Sequence, residues 1–470
     1  MRAAGTGESI GFRKRWRWLR LTGWGVFLLW FGWYAYVRIT TPPAALSDAG
    51  GVDGASRDAL ETELDEIIRA LPPPPAMPAT ASAPTMRGWG WWTPAVLAEG
   101  LTGAWDPQNN AVQQVAVVYV TGSAASPLDQ IVRLFEEERR PGEAVLPSNA
   151  PGSAWGPAGW GDDEALAVGA LTFRARYHAA QQADRTAALR DLRVALLLAE
   201  RGRSADLTGL VQHELGCVAQ EIATPPVEAT RMIAFLREER MLSVTAGLER
   251  TLRTGAGLDE MLDQYYTRDE DGDGWLVLSA ATDLQSPLMF GHMTPRSRVW
   301  NLLSPLFHGR ATMRRKLTEL EEDIRVLDTL SYDEGLTRLF GRQKPARTMD
   351  VLDGPLSGLT GVIQRGTFQV AFAHAMRARA TAVMLALSAY RQEHGDYPAV
   401  LEQLVPRFLD DVPLDILTQT PFVYERMSES AYELRPARVV PEELSSFWWL
   451  GPLNYQPNSY LPTREAPKEP

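Results

Sequence analysis

The sequence predicts a mainly α-helical protein with one N-terminal transmembrane helix and an extracytoplasmic array of helices. Two observations carry this. Residues 21–37, LTGWGVFLLWFGWYAYV, run for seventeen residues without a charge and are bracketed by Arg20 and Arg38. From Asp162 to about Tyr266, apolar residues recur at the three and four spacing of amphipathic helices, with short joints between the runs.

About twenty apolar residues span a bilayer as a helix, so 21–37 is slightly short. Its flanking arginines reach the headgroups, and its Trp and Tyr residues suit the interface. Ahead of it Arg2, Arg13, Lys14, Arg15, Arg17 and Arg20 face one acid, Glu8. Residues 1–20 are therefore expected to be a basic cytoplasmic arm, and everything from Ile39 onward extracytoplasmic. The expected location is the inner (cytoplasmic) membrane, crossed once with the N-terminus inside. The competing reading is a cleavable signal peptide ending near Ala45-Leu46-Ser47. The apolar run is longer and bulkier than a signal core, and Pro42-Pro43 intervenes. Either way the remainder is exported.

Composition bounds the remainder. The chain has 470 residues, 45% hydrophobic and 22% charged, enough for two or three domains with cores of their own. Its net charge of -11 becomes more negative once the basic arm is set aside, so nucleic acid is not an expected partner. Cys217 is the only cysteine, which excludes an intramolecular disulfide and a thiolate zinc cluster.

Within 38–86, Leu60, Leu64, Ile67, Ile68 and Leu71 fall at helical spacing opposite Glu61, Glu63, Asp65 and Glu66, predicting a juxtamembrane helix over Arg57 to Leu71. The stretch PPPPAMPATASAP after it has the composition of a semi-rigid linker, with the folded body expected beyond it. Residues 87–161 are a Trp-rich irregular and helical region. Trp89, Trp91, Trp92, Trp105, Trp155 and Trp160 suit partly buried anchors or an exposed glycan platform, and Ala111 to Val120 and Leu128 to Arg139 form a buried apolar element and an amphipathic helix. A helical domain is expected over 162–366. Its first runs are Glu164 to Gln182, Arg185 to Arg201, Ala205 to Ile222 and Val227 to Met241, with Ser204 and Thr224 where caps or turns belong. Ala188, Leu192 and Ala195 match a tetratricopeptide-like unit, but no second copy follows.

Two motifs in this domain suggest chemistry. His213-Glu214-Leu215-Gly216-Cys217 approaches the zincin pattern, two histidines four apart on one helix face with a water-activating Glu. Here Cys217 stands at the second ligand position, and the alternative is a helix packing Leu210, Cys217 and Ile222 inward. The second motif is YYTRDEDGDGWLVLSAATD. Asp269, Asp271 and Asp273 occupy positions 1, 3 and 5 of an EF-hand-type loop over 269–280, Gly274 position 6, and Trp275 offers its carbonyl at 7. Ala280 stands where the closing Glu belongs, with Asp283 the nearest substitute. The residues Asp269, Asp271, Asp273, Trp275 and Asp283 are thus the candidate metal ligands, with Ca2+ the expected ion. Weak, structural binding is expected, against a plain solvated turn as the alternative.

Further on, Met313, Leu317, Leu320, Ile324 and Leu327 predict an amphipathic helix whose Glu319, Glu321, Glu322 and Asp323 form a solvated face. A long helix is expected from Thr367 to His394, and Arg377 and Arg379 inside it argue against a second membrane span. After it come Tyr390-Arg391-Gln392-Glu393-His394-Gly395-Asp396-Tyr397-Pro398, then Leu404-Val405-Pro406, Val412-Pro413-Leu414-Asp415 and Pro421-Phe422-Val423-Tyr424. This series resembles the head region of type II secretion pseudopilins. The resemblance implies a Tyr-Pro turn after the long helix, a short helix, and a small antiparallel sheet with strands at Pro421 to Tyr424 and Ala431 to Arg435. Ile416-Leu417 replaces the usual Pro-aromatic pair, and the segment lies at the wrong end of the chain for polymerisation, so secretion is not implied. The arrangement is similar to that of single-pass, membrane-anchored bacterial envelope proteins. The expected fold class is then mainly α, with a small α+β pseudopilin-like C-terminal unit made, with the long helix, from 367–440.

The aromatic-rich tail, 441–470, carries Phe447, Trp448, Trp449, Leu450, Tyr455 and Tyr460. These would lie across the body or meet a partner. No GxSxG, GxxxxGK or GxGxxG pattern occurs, and the six histidines are scattered. The expected function is a non-enzymatic, membrane-anchored scaffold or binding protein of the envelope with a protein partner there. The alternative is an envelope hydrolase whose acids converge only in three dimensions.

Overall fold

A computed structural model describes residues 55–73, 105–137, 162–201, 205–221, 224–252, 262, 266–268, 274, 309–341, 365–429, 431–441 and 444. These residues are mainly helical. They fall in two units, the larger drawn from 51–256, 319–344 and 360–470. The anchor run 21–37, the Pro-rich linker and the aromatic tail beyond Leu444 lie outside the described residues.

In the larger unit α1 is Ala55–Arg69, α2 Ala111–Thr121, α3 Ala125–Glu137, α4 Asp162–Tyr177, α5 Arg185–Arg201, α6 Ala205–Glu221, α7 Pro226–Glu238 and α8 Val244–Leu252. Then come α9 Arg310–Arg325, of which only 319–325 belong to this unit, α10 Tyr332–Phe340 and α11 Arg365–His394. Local chemistry sets several starts. The Asn110 side chain accepts from the backbone N–H of Val112 at 3.0 Å and of Gln113 at 3.1 Å, capping α2. Asp184 Oδ1 accepts from Ala187 N at 3.0 Å at the head of α5. Pro226 opens α7 at the one turn where its missing N–H costs nothing.

Helix α1 packs on α3 and α4, burying Leu64, Ile68 and Leu71. Tyr119 of α2 donates to the Pro72 carbonyl at 2.7 Å, and Arg201 pairs with Asp65 at 3.1 Å. The folded body therefore includes α1, which lies ahead of the proline run. Of the tryptophans only Trp105 is described, and it is packed half-buried on the core. Ser204 lies outside the described residues, while the Thr224 N–H donates to Ser388 of α11 at 2.6 Å.

Helix α11 is the centre of this unit, packed by α6, α7 and α8. It is long and apolar enough to cross a membrane by composition, but 83% of that window is buried against the protein. Its alanines allow close approach. A Cβ built on Gly247 of α8 would sit 3.2 Å from the Ala371 Cβ. At its N-terminal end Phe368 and Phe372 pack on Tyr332 of α10, with ring centroids 5.7 and 4.7 Å apart. Asp328, beyond α9, accepts from Val244 N at 2.7 Å at the start of α8. Arg379 of α11 ties the same corner together by donating to the Leu242 carbonyl at 2.8 Å and the Leu414 carbonyl at 3.1 Å.

Past α11 the chain turns at Gly395 (φ 87°), the left-handed region that glycine adopts without strain. A 3₁₀ turn, Leu401–Leu404, leads to two antiparallel pairs. In the first, β1 (Leu414–Asp415) pairs with β2 (Thr420–Pro421); in the second, β3 (Val423–Arg426) pairs with β4 (Tyr432–Arg435), Val423 opposite Arg435. Tyr397 is buried edge-on to Tyr432 at 4.8 Å, and Tyr424 donates to the Pro398 carbonyl at 2.7 Å. The carboxylate of Asp415, fully buried, accepts from Leu417 N and Ala437 N at 2.8 Å each, holding the turn after β1 against the strand exit.

Candidate functional site

Asp269, Asp271, Asp273, Trp275 and Asp283 lie outside the described residues. Gly274, between them, is described. A Cβ there would fall 1.7 Å from the Thr267 carbonyl oxygen, so only glycine fits, and its own carbonyl accepts from Arg310 N at 2.8 Å. Glycine is thus sterically required at the position that an EF-hand loop reserves for its sixth residue. Among the described residues no group of three or more His, Cys, Asp or Glu is arranged to hold a metal ion.

Chemistry-bearing side chains do converge inside the helical unit, around the HELGC segment of α6. His213, Glu214 and Cys217 all face the dry interior, at 3%, 0% and 2% exposure. Helix α6 packs between α4, α5 and α11, and the first and last of these each contribute an arginine to it. Arg176 of α4 donates from Nη1 to Glu214 Oε1 at 3.1 Å. Arg377 of α11 donates from Nη1 to His213 Nδ1 at 2.8 Å. A guanidinium only donates, so His213 Nδ1 is an acceptor and the ring proton sits on Nε2. That nitrogen lies 3.7 Å from the Cys217 sulfur. Burial first, then the charges of Arg377 and Arg176, hold the imidazole well below its ordinary pKa and keep it neutral.

This arrangement does not work as a zincin centre. The glutamate that would activate water is committed to Arg176, and two guanidinium charges beside the His–Cys pair oppose a cation. Of the inward-packing residues expected, Leu210 and Cys217 are buried and Ile222 lies outside the described residues. That His213 and Glu214 also turn inward follows from arginines on two other helices. The signal for them was present in Ala170-Leu171-Thr172-Phe173-Arg174-Ala175-Arg176 and Ala375-Met376-Arg377-Ala378-Arg379, where charges interrupt apolar helix.

A second cluster joins α3, α4 and α5. Arg174 grips Asp191 with two bonds, Nε to Oδ2 at 2.7 Å and Nη2 to Oδ1 at 2.9 Å, and reaches Asp129 with Nη1 at 2.8 Å. His178 opens a π-helical turn, His178–Gln182, and places Nε2 3.7 Å from Asp191 Oδ2, with Nδ1 2.7 Å from Gln182 Oε1. Near it, a groove between α3, α5 and α7 is lined by three arginines, each near a carboxylate: Arg193 and Glu136 at 3.6 Å, Arg231 and Glu228 at 3.0 Å, and Arg190 and Asp191 at 4.0 Å. The three fully buried acids among the described residues, Asp191, Glu214 and Asp415, are thus held by guanidinium or backbone N–H donors. Such carboxylates are fixed in place by these donors, while burial pushes the carboxyls of Asp191 and Asp415 above their ordinary pKa.

No known protein family, curated protein or solved structure matches the chain.

Proposed function

We propose that this protein is a membrane-anchored, extracytoplasmic scaffold or binding protein of the bacterial envelope, non-enzymatic and stabilised by calcium. Residues 21–37 tether it to the inner membrane, and a protein partner in the envelope is its target. The observation that carries the reading is the seventeen-residue uncharged run with its arginine-rich leading arm. The body supports a scaffold, because its buried acids are spent on internal ion pairs and turns, the pattern of a framework that holds a shape. The long helix ending in a Tyr-Pro turn and short antiparallel pairs supports a pseudopilin-like C-terminal unit. The steric demand for glycine at position 274 supports the calcium loop of Asp269, Asp271, Asp273, Trp275 and Asp283.

Topology is the test. A reporter active only outside the cytoplasm, fused after Pro470, is expected to be active in cells and to cofractionate with inner membrane. Replacing Arg13, Lys14, Arg15, Arg17 and Arg20 with neutral residues should weaken that orientation. Reporter activity confined to the cytoplasm would overturn the reading.

A further inference from the structure

The contact between Arg377 and His213 joins α11, the central helix, to α6, and its chemistry permits only one protonation state. His213 Nδ1 accepts from Arg377 at 2.8 Å, and its protonated form has donors at both ring nitrogens. Two donors cannot share that contact, and the guanidinium does not give up its proton. Among the described residues, the charges nearest the ring are the guanidinium groups of Arg377 and Arg176. Arg377 comes from α11, with His374 about a turn earlier. Arg176 comes from α4 and is held by Glu214 of α6 itself. Among the other described helices packed on α6, α5 carries Asp191, which is committed to Arg174. The opposite face of α11 carries Arg379, occupied at the α8 corner. Among the described residues, two guanidinium groups and one carboxylate thus lie at this buried segment of α6, and protonated His213 would add a further positive charge.

We propose that the Arg377–His213 contact is an acid-sensitive latch: protonation of His213 converts its Nδ1 from acceptor to donor, breaks the bond to Arg377 and opens the interface between α6 and α11. Cys217, one turn along α6 and 3.7 Å from the same ring, is covered while the latch is shut and uncovered when it opens. If His213 carries an ordinary imidazole in the open form, moving from about pH 7.5 to about pH 5 raises the open population by up to about thirtyfold.

The test uses the full-length chain in detergent micelles and 4,4′-dithiodipyridine, a disulfide that reacts with thiols in mild acid as well as at neutral pH. Cys217 labelling is expected to be slow near pH 7.5 and at least tenfold faster near pH 5, with the helical circular dichroism retained. In His213→Asn, whose amide oxygen accepts from Arg377 but does not titrate, labelling should stay slow at both. A wild-type rate that does not rise on acidification overturns the latch, and so does an equal rise in His213→Asn. Should that variant not fold, amide hydrogen exchange of the wild type, corrected for intrinsic rates, decides. Acid-accelerated exchange concentrated in Ala205–Glu221 and Arg365–His394 supports the latch, and uniform acceleration across all helices overturns it.

Discussion

At the scale of single residues, the Arg176–Glu214 pair shows how a buried charge constrains its neighbours. Both side chains are at most 1% exposed, so removing one leaves the other charged in a medium that cannot solvate it. Glu214→Ala should cost about 3–5 kcal/mol, while replacing both residues by apolar ones of similar size should recover most of that loss. Urea denaturation of the two single variants and the double variant checks this. A double variant as unstable as the sum of the singles would mean that the two charges are not coupled. His213 adds a pH dependence whose sign follows from its depressed folded-state pKa. The unfolded chain binds the proton more readily, so the contribution of His213 to stability is complete above its ordinary pKa of 6.5 and is lost as pH falls from there toward the folded-state value. The denaturation midpoint should therefore fall from about pH 7 to pH 5 in the wild type, and fall less in His213→Asn.

At the scale of the element, caps and turns act where packing is thinnest. Asn110 satisfies two N–H groups at the head of α2, so Asn110→Ala should destabilise the protein by about 1 kcal/mol, read from the denaturation midpoint. The Tyr-Pro turn is a larger joint. Tyr397 is pinned between Tyr432 and the Arg391 guanidinium, which lies 5.1 Å from its ring centroid, and Pro398 supplies the carbonyl that Tyr424 bonds. Tyr397→Ala removes an aromatic side chain from a packed site, a change that costs about 3–5 kcal/mol in cores. Limited proteolysis should then cut within 390–440 while the fragment carrying α4 to α7 stays intact. Unchanged protease resistance of that segment would show that the β3–β4 pair does not depend on the turn.

At the scale of the whole molecule, calcium is the test that joins the loop to global stability. An ion that binds only the folded state stabilises it by mass action, about 1.4 kcal/mol when its concentration is tenfold above Kd. The full-length chain is expected to melt at a higher temperature in millimolar calcium than in chelator. Asp269→Ala and Asp271→Ala should remove the difference, and Asp283→Ala should do so only if that residue closes the ligand shell. Calorimetry showing no calcium heat at millimolar concentration, with identical melting in both solutions, would reduce the loop to a solvated turn. A topology reporter after Pro470 tests the same molecule's orientation independently.

The helices were legible from residue order alone, because amphipathic spacing and caps act over a few residues. Arg185 to Arg201 matches the observed element at both ends, while Glu164 to Gln182 and Ala205 to Ile222 differ by a residue or two and by the π-helical ending at His178. The Tyr-Pro turn and strands near Pro421 to Tyr424 and Ala431 to Arg435 were read through resemblance, whereas β1 and its pairing with β2 were not. The interior charges were not legible. Arg176 meets Glu214 across 38 residues of chain and Arg377 meets His213 across 164, and no local spacing records such distances. HELGC therefore looked like a near-metal motif until α4 and α11 brought their guanidinium groups to it. The same reason explains why α1 looked like a detached juxtamembrane helix: its apolar stripe was evident, but the surface that buries it belongs to α3 and α4. Periodicity shows that a face must be covered, and only the packing of distant segments decides what covers it.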